Sequence, residues 1–499
     1  MASVQGMRAV RVFEAKLMRR SNPGRRLHDA VVIVPGIMGS ELREAGTGRK
    51  LWGVGKLLTY TARAHTDRLR QLAVTEDERE GRTGRVEVTG LLESFELLPG
   101  LGSAHPYTAM VAEMRRSVVD PAALLPFPYD WRLSVEHNGA LLAAAARRHL
   151  DAWRAHPGHR GYLEANPEAG PARLVVVAHS MGGLLTREAL HLDPALRGDI
   201  RAVMTVGTPF NGSVKAVLML NAGKGLPFPV PPAVLRQVAA TMPGLYDLLP
   251  GYRAFEADGD MRVPGVEDIV ALGGRRELAK AAVDRRTSRA ETTLPEHVTV
   301  VGMGQRTWTS YRLADGVALF DRCLFKRYND GRLLPDAEGR PQRDPRTGDG
   351  TVYQYAAQLP GTERPVHFYH EHGALIRTRS VLDMASGLMH GLRHPEERGA
   401  MLGDEAEFEL CAPEWAALGE PFAIEVDGVA RGADLECRVR GVDGLDELLT
   451  PALRPVPGRA GVLAASCTPD RPGMYEVEVT GGEEPKRRLV PVLDMVHDG

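Results

Sequence analysis

Short unbroken apolar runs, rich in β-branched residues, alternate with helix-like stretches from about residue 28 to 210. Val31-Val32-Ile33-Val34 and Leu174-Val175-Val176-Val177 are two such runs. A strand covered on both faces reads as continuous hydrophobicity rather than alternation, so runs of this kind predict the buried strands of a mostly parallel sheet flanked by helices. The pattern then changes twice. Between about 214 and 295 the segment Leu226-Pro227-Phe228-Pro229-Val230-Pro231-Pro232 interrupts two apolar stretches, Val214 to Leu220 and Val234 to Leu249, which reads as an insertion. After about residue 392, period-two alternation takes over in Phe422-Ile424-Val426, Leu435-Cys437-Val439 and Tyr475-Val477-Val479, separated by Gly and Pro turns. Several short alternating strands argue a small antiparallel β-sandwich. The expected organisation is a basic arm over 1–27, an α/β domain over 28–392, a polar linker over 393–405 and a sandwich over 406–499.

Composition narrows the function classes. The 499 residues carry a formal net charge of −2 and 43% hydrophobic residues, ample for a packed core and without the basic face that nucleic-acid binding needs. Four cysteines (Cys323, Cys411, Cys437, Cys467) are too few for a disulfide framework, and Cys437 with Cys467 reads as a pair of buried free thiols. Met1 to Arg26 lacks the apolar core of a secretory signal, and no run approaches the length that spans a bilayer. The resulting expectation is a cytoplasmic protein, peripheral at most at the inner membrane surface. Val10, Phe13 and Leu17 stand at helical spacing among Arg8, Arg11, Lys16, Arg19 and Arg20, a basic arm whose ordinary reading is a solvated or self-packed segment.

The run Leu174 to Ala178 ends abruptly at His179-Ser180-Met181-Gly182-Gly183 and opens a helix. This is the layout of a nucleophile elbow, in which a tight strand-to-helix turn lifts a serine hydroxyl clear of the backbone. Ala178 stands where the usual pattern has its first glycine. A serine needs a base, an orienter for that base and donors for an oxyanion. The chain order serine, acid, histidine places both partners downstream. Asp349, held in Gly348-Asp349-Gly350-Thr351-Val352, is the acid candidate, ahead of Asp344 and Asp330. His372 is the base candidate, with His367 and His370 as close rivals and an apolar helical segment, Val381 to Leu388, following. The spacing of the three histidines has no matching carboxylate or thiol set, so neither a metal nor another cofactor is expected. The early run into Pro35-Gly36-Ile37-Met38-Gly39-Ser40 predicts a strand-to-loop turn that brings a backbone N–H to the nucleophile. Ile37, with Met38 as the fallback, would join the Met181 amide in an oxyanion hole.

These residues, in this order, resemble the lecithin:cholesterol acyltransferase family of α/β-hydrolases. The resemblance extends to Leu51-Trp52-Gly53, Pro128-Tyr129-Asp130-Trp131-Arg132, Gly207-Thr208-Pro209-Phe210-Asn211-Gly212-Ser213, Met242 to Pro250 and Gly302-Met303-Gly304-Gln305-Arg306-Thr307, and spans about 28–392. It implies an α/β-hydrolase fold and acyl-ester chemistry on lipids through Ser180, Asp349 and His372. It also implies substrate contacts for Trp52, Tyr129, Trp131 and Phe210. The insertion over 214–295 would then be a lid, with Leu218, Phe228, Leu235, Leu245 and Leu249 shielding an apolar cleft. The sandwich resembles immunoglobulin-like modules in Pro472-Gly473-Met474-Tyr475-Glu476-Val477-Glu478-Val479. It holds no catalytic constellation, so docking of a protein partner is its expected role, including one that switches the enzyme on as an intracellular effector. Three readings stand beside one another: a lipase or phospholipase acting at a lipid surface, a lipid acyltransferase with the same triad, and a hydrolase-fold scaffold for recruitment. Oligomeric state is left open.

Overall fold

The structure, a computed structural model, describes residues 27–53, 62–92, 107–226, 231–359, 365–389, 408–413, 416–429, 434–442, 448–459, 461–481 and 486–493. Residues 1–26 of the basic arm, the linker and Phe228 lie outside the described residues.

Six parallel strands form the central sheet: β1 (Ala30–Val34), β2 (Leu124–Pro126), β3 (Leu174–His179), β4 (Ile200–Val206), β5 (His297–Gly302) and β6 (Val366–Phe368). Their spatial order is β6-β5-β4-β3-β1-β2, and every pairing is parallel. Every residue of β1 and β3 is buried, as continuous apolar runs require of strands covered on both faces. The covering helices include α1 (Val135–Arg154), α2 (Met181–Leu192) and α3 (Arg379–Met389). Ser134 caps α1, its hydroxyl accepting from the His137 amide at 3.1 Å. The buried side of α1 runs Val135, Asn138, Leu142, Ala146, Leu150 and Trp153, the three-to-four spacing of one helix face. These elements make the fold an α/β-hydrolase.

Asp130, Arg132 and Glu78 form a buried ion cluster beside the sheet. The Arg132 guanidinium is fully buried and donates to Asp130 Oδ2 at 2.6 Å and to Glu78 Oε1 at 2.8 Å. The Arg132 charge and hydrogen bonds from Arg132, Arg85 and the Thr75 amide outweigh burial and hold the Glu78 carboxyl down at about 2. Of the lid leucines, Leu235, Leu245 and Leu249 are buried in the same core as the sheet, and Leu218 is partly buried. Backbone bonds tie the segment down: the Gly244 amide donates to Arg132 O at 3.1 Å and the Ser213 amide to Leu248 O at 2.8 Å.

The C-terminal module has a core of its own, built from Phe422, Ile424, Val426, Val439, Tyr475, Val477, Val479, Val490 and Val492 among others. A four-stranded sheet faces a five-stranded one. One pairing departs from the antiparallel expectation: Ala416–Ala417 runs parallel to Lys486–Leu493. The cause is a change of sheet. Glu409–Cys411 pairs with Phe422–Asp427 in the first sheet, and the chain then crosses to the last strand of the second. Cys437 and Cys467 are both buried, and burial, with Cys467 close by, pushes the Cys437 thiol up to about 12. Ion pairs among the described residues join the module to the α/β domain: Arg306 to Asp427 and, at 3.8 Å, to Glu425, and Arg488 to Glu371 at 3.0 Å.

Candidate active site

β3 delivers the chain to Ser180 at the edge of the sheet, where φ is +51° and ψ −126°. A non-glycine residue occupies that region only when its surroundings impose it. Here the Ser180 amide is held by Val206 O at 2.8 Å and α2 begins at the next residue. The turn passes very close to the loop after β1. A Cβ on Gly182 would stand 2.5 Å from Val34 O, so the position tolerates only glycine. The sequence pattern of small residues after the serine thus has a specific steric origin.

Two loops at the same edge supply the other groups. His372 Nε2 lies 2.8 Å from Ser180 Oγ, and His372 Nδ1 lies 2.7 Å from Asp349 Oδ2. The other oxygen of Asp349 accepts from the amides of Thr351 at 2.9 Å and Val352 at 2.6 Å. Those two donors orient the carboxylate and keep it an acceptor, which assigns the imidazole proton to Nδ1 and leaves Nε2 to accept from the serine hydroxyl. Asp349 is 2% exposed, and its carbonyl receives the His372 amide at 2.9 Å, so the loops carrying Asp349 and His372 are bonded through backbone as well as side chain. Thr307 Oγ1 supports the acid loop from below by accepting from the Gly350 amide at 2.9 Å.

The rival residues lie elsewhere. Asp344 pairs with Arg346 at 2.6 Å, and Asp330 with Arg332 at 2.6 Å. His367 sits on β6, where burial lowers its pKa, and His370 lies in the loop that follows. Among the described residues, no group of three or more His, Cys, Asp or Glu side chains is arranged to hold a metal ion.

The loop Pro35–Ser40 crosses in front of Ser180. Met181 is the first residue of α2, so its N–H is one of the helix donors without an intrahelical acceptor. Ile37 and Met38 are partly exposed, and Met38 has φ +64°. Three of the four aromatic residues expected at the substrate direct their polar ends to this loop. Trp52 Nε1 donates to Met38 O at 2.9 Å, Tyr129 Oη to Pro35 O at 3.1 Å, and Trp131 Nε1 to Ser40 O at 3.3 Å. Phe210 is buried edge-on against His297, with ring centroids 5.7 Å apart.

Two further residues escaped the sequence reading. His179, directly before the serine, is 6% exposed and packs its ring 4.9 Å from that of His372. Burial, reinforced by His372, lowers its pKa to about 3. Tyr107 lies on its other side, with Oη 3.0 Å from His179 Nδ1. A histidine next to Ser180 was visible in the sequence. The tyrosine, 72 residues upstream, carried no signal there.

The family model for lecithin:cholesterol acyltransferase matches residues 85–267, a span that contains Ser180 and Pro128–Arg132 and ends before Asp349 and His372. No curated protein matches. Among solved structures, a chain of the Tle4–Tli4 complex is similar at 13% identity and TM-score 0.44, covering 73% of this chain and 99% of that one. The Bacillus licheniformis lipase BlEst2 in mature form is similar at 13% identity and TM-score 0.31, covering 74% of this chain and 94% of that one. Phospholipase PlaB from Legionella pneumophila is similar at 9% identity and TM-score 0.21, over 94% and 93% of the two chains. At such scores these likenesses carry no argument about the chain. The chain is thus similar over residues 85–267 to the lecithin:cholesterol acyltransferase family, and its parallel sheet and strand-turn-helix elbow are those of an α/β-hydrolase fold.

Proposed function

We propose that the protein is a serine-dependent hydrolase of lipid acyl esters. Ser180 Oγ attacks the ester carbonyl as its proton passes to His372 Nε2, and Asp349 stabilises the resulting imidazolium. The tetrahedral oxyanion is held by the amides of Met181 and Ile37, with Met38 as the other candidate for the second donor. Collapse breaks the ester C–O bond, and the departing alcohol takes the proton from His372. Water, deprotonated by His372, then attacks the acyl-serine and releases the fatty acid. The observation that carries this reading is the unbroken contact from Asp349 through His372 to Ser180, made by side chains from three distant segments.

The same acyl-enzyme supports transfer if an alcohol replaces water, and the family match favours keeping that second reading in view. Water is the expected acceptor, because no second acceptor pocket is marked in the sequence. Long acyl chains are the expected substrates, since each buried CH₂ contributes about 0.8 kcal/mol. The segment Val214–Pro250 acts as the lid, and a lipid surface shifts it toward an open state by contacting apolar side chains that water disfavours. The sandwich serves docking of a protein partner rather than chemistry.

The test is to incubate the purified protein with phospholipid and neutral-lipid dispersions, with and without an added alcohol, and to identify products by mass spectrometry. Ser180→Ala should abolish both turnover and labelling by a fluorophosphonate while the melting temperature holds. Free fatty acid should outweigh acyl transfer, and rates should rise as the lipid aggregates. Labelling that survives the substitution, or preferred cleavage of short soluble esters, would overturn the assignment to Ser180 or to lipids respectively.

A further inference from the structure

Tyr107, His179 and the backbone on either side of them form one continuous hydrogen-bond chain. The Gly36 amide donates to Tyr107 Oη at 2.8 Å, Tyr107 Oη lies 3.0 Å from His179 Nδ1, and His179 Nε2 lies 3.1 Å from the carbonyl of His372. The direction of every bond follows from its ends. An amide only donates, so Tyr107 Oη accepts from Gly36 and its single proton is free for His179. A carbonyl only accepts, so His179 carries its proton on Nε2 and presents Nδ1 as the acceptor for that tyrosine proton. One proton arrangement therefore satisfies all three bonds. Burial keeps the imidazole neutral, which removes the alternative in which both ring nitrogens donate.

The two ends of the chain matter because of where they lie. Gly36 belongs to the loop that crosses the nucleophile, and a Cβ placed on it would stand 2.8 Å from Ser180 Cβ. His372 carries the base. All the linking groups are buried, Tyr107 at 3% and His179 at 6% exposure, where a hydrogen bond has no water to replace it. The chain also uses up the Gly36 amide, so the loop's contribution to an oxyanion hole begins at Ile37.

We propose that Tyr107 and His179 are positioning residues that fix the oxyanion loop and the histidine loop to one another across the nucleophile, setting the distance from oxyanion donor to base. The inference rests on the hydrolase reading above. It adds two residues that touch neither the substrate nor the reacting atoms. Such a link acts on the transition state: a displaced loop binds the ground-state ester about as well, but its amide no longer meets the developing oxyanion.

Tyr107→Phe removes one oxygen and keeps the ring against His179. With p-nitrophenyl butyrate as probe, kcat should fall about 10- to 100-fold with KM little changed, the scale of a misplacement near the reacting atoms. Affinity for an alkyl boronic acid, which forms a tetrahedral adduct on Ser180, should fall in parallel with kcat/KM. His179→Phe breaks the same chain from its centre and carries the same expectation, so a Tyr107→Phe protein that failed to fold would not remove the test. The double variant should be no worse than the poorer single one, because both break one chain. A Tyr107→Phe protein with wild-type kcat and boronate affinity, a loss expressed only in KM, or additive losses in the double variant would each overturn the proposal. Wild-type protein that resists fluorophosphonate would instead overturn the hydrolase reading, so the two failures are distinguishable.

Discussion

Replacing Asp349 by asparagine changes one atom of the acid and, by the geometry of its loop, inverts the histidine proton. The side-chain oxygen now facing the Thr351 and Val352 amides accepts from both. If asparagine keeps its oxygen there, its NH₂ points at His372 Nδ1, 2.7 Å away in the native contact. A donor opposite Nδ1 forces the imidazole proton onto Nε2, where it faces Ser180 Oγ and cannot accept the serine proton. The flipped amide would restore the tautomer, but it would set NH₂ against two buried N–H donors. Each unsatisfied donor costs about 1–3 kcal/mol, so the unflipped state dominates. The expected loss is on the order of 10⁴ in kcat, the scale seen when a serine hydrolase holds the wrong tautomer, equivalent to about 5 kcal/mol of barrier. The assay is turnover of a soluble ester, with fluorophosphonate labelling and thermal melting as controls, and the melting temperature should change little. Asp344→Asn is the matched comparison: Asp344 belongs to a partly exposed pair with Arg346, of a kind worth about 0–1 kcal/mol, and should be nearly silent in turnover. Turnover of Asp349→Asn within tenfold of wild type, or a larger loss from Asp344→Asn, would refute the reasoning.

His179 and His297 both have pKa values lowered to about 3 by burial, so the folded state refuses protons that the unfolded chain accepts below its ordinary value of about 6.5. Stability is therefore full above that value and falls with decreasing pH toward 3, by about 1.4 kcal/mol per pH unit for each histidine. Urea titrations between pH 7 and pH 4 (~3 units, the window set by these shifts) should show His297→Asn with a shallower slope than wild type, and an unchanged slope would count against the account. Arg132→Ala should destabilise by about 3–5 kcal/mol, since it strands two carboxylates beside a fully buried site, and denaturant unfolding with a loss below about 1 kcal/mol would show that water reaches the cluster.

Much of the architecture was legible because its causes are local. A doubly covered parallel strand has to be apolar at every position, and Val31 to Val34 and Leu174 to Val177 say so directly. Sandwich strands bury alternate residues, and Phe422, Ile424 and Val426 are the buried ones. The parallel pairing of Ala416–Ala417 was not legible, because a two-residue strand has no periodicity and its change of sheet is a fact of packing.

Ser180, Asp349 and His372, the three side chains that the fold brings into contact, stand out in the sequence because the elbow and the glycine-bounded loop impose local residue choices. What the sequence could not decide is which side chains share a contact across long separations. Asp344 and Asp349 differ little as letters, and only the meeting of β5 with β6 places the second beside His372 and leaves the first among arginines. The attachment of the aromatic residues at 52, 129 and 131 to the carbonyls of the 35–40 loop was not legible, since a hydrogen bond to backbone leaves no trace in the partner's identity. Tyr107 is the clearest case. Its hydroxyl matters only because folding brings a helix start, a strand end and a loop to within hydrogen-bond distance, and no spacing along the chain encodes that meeting.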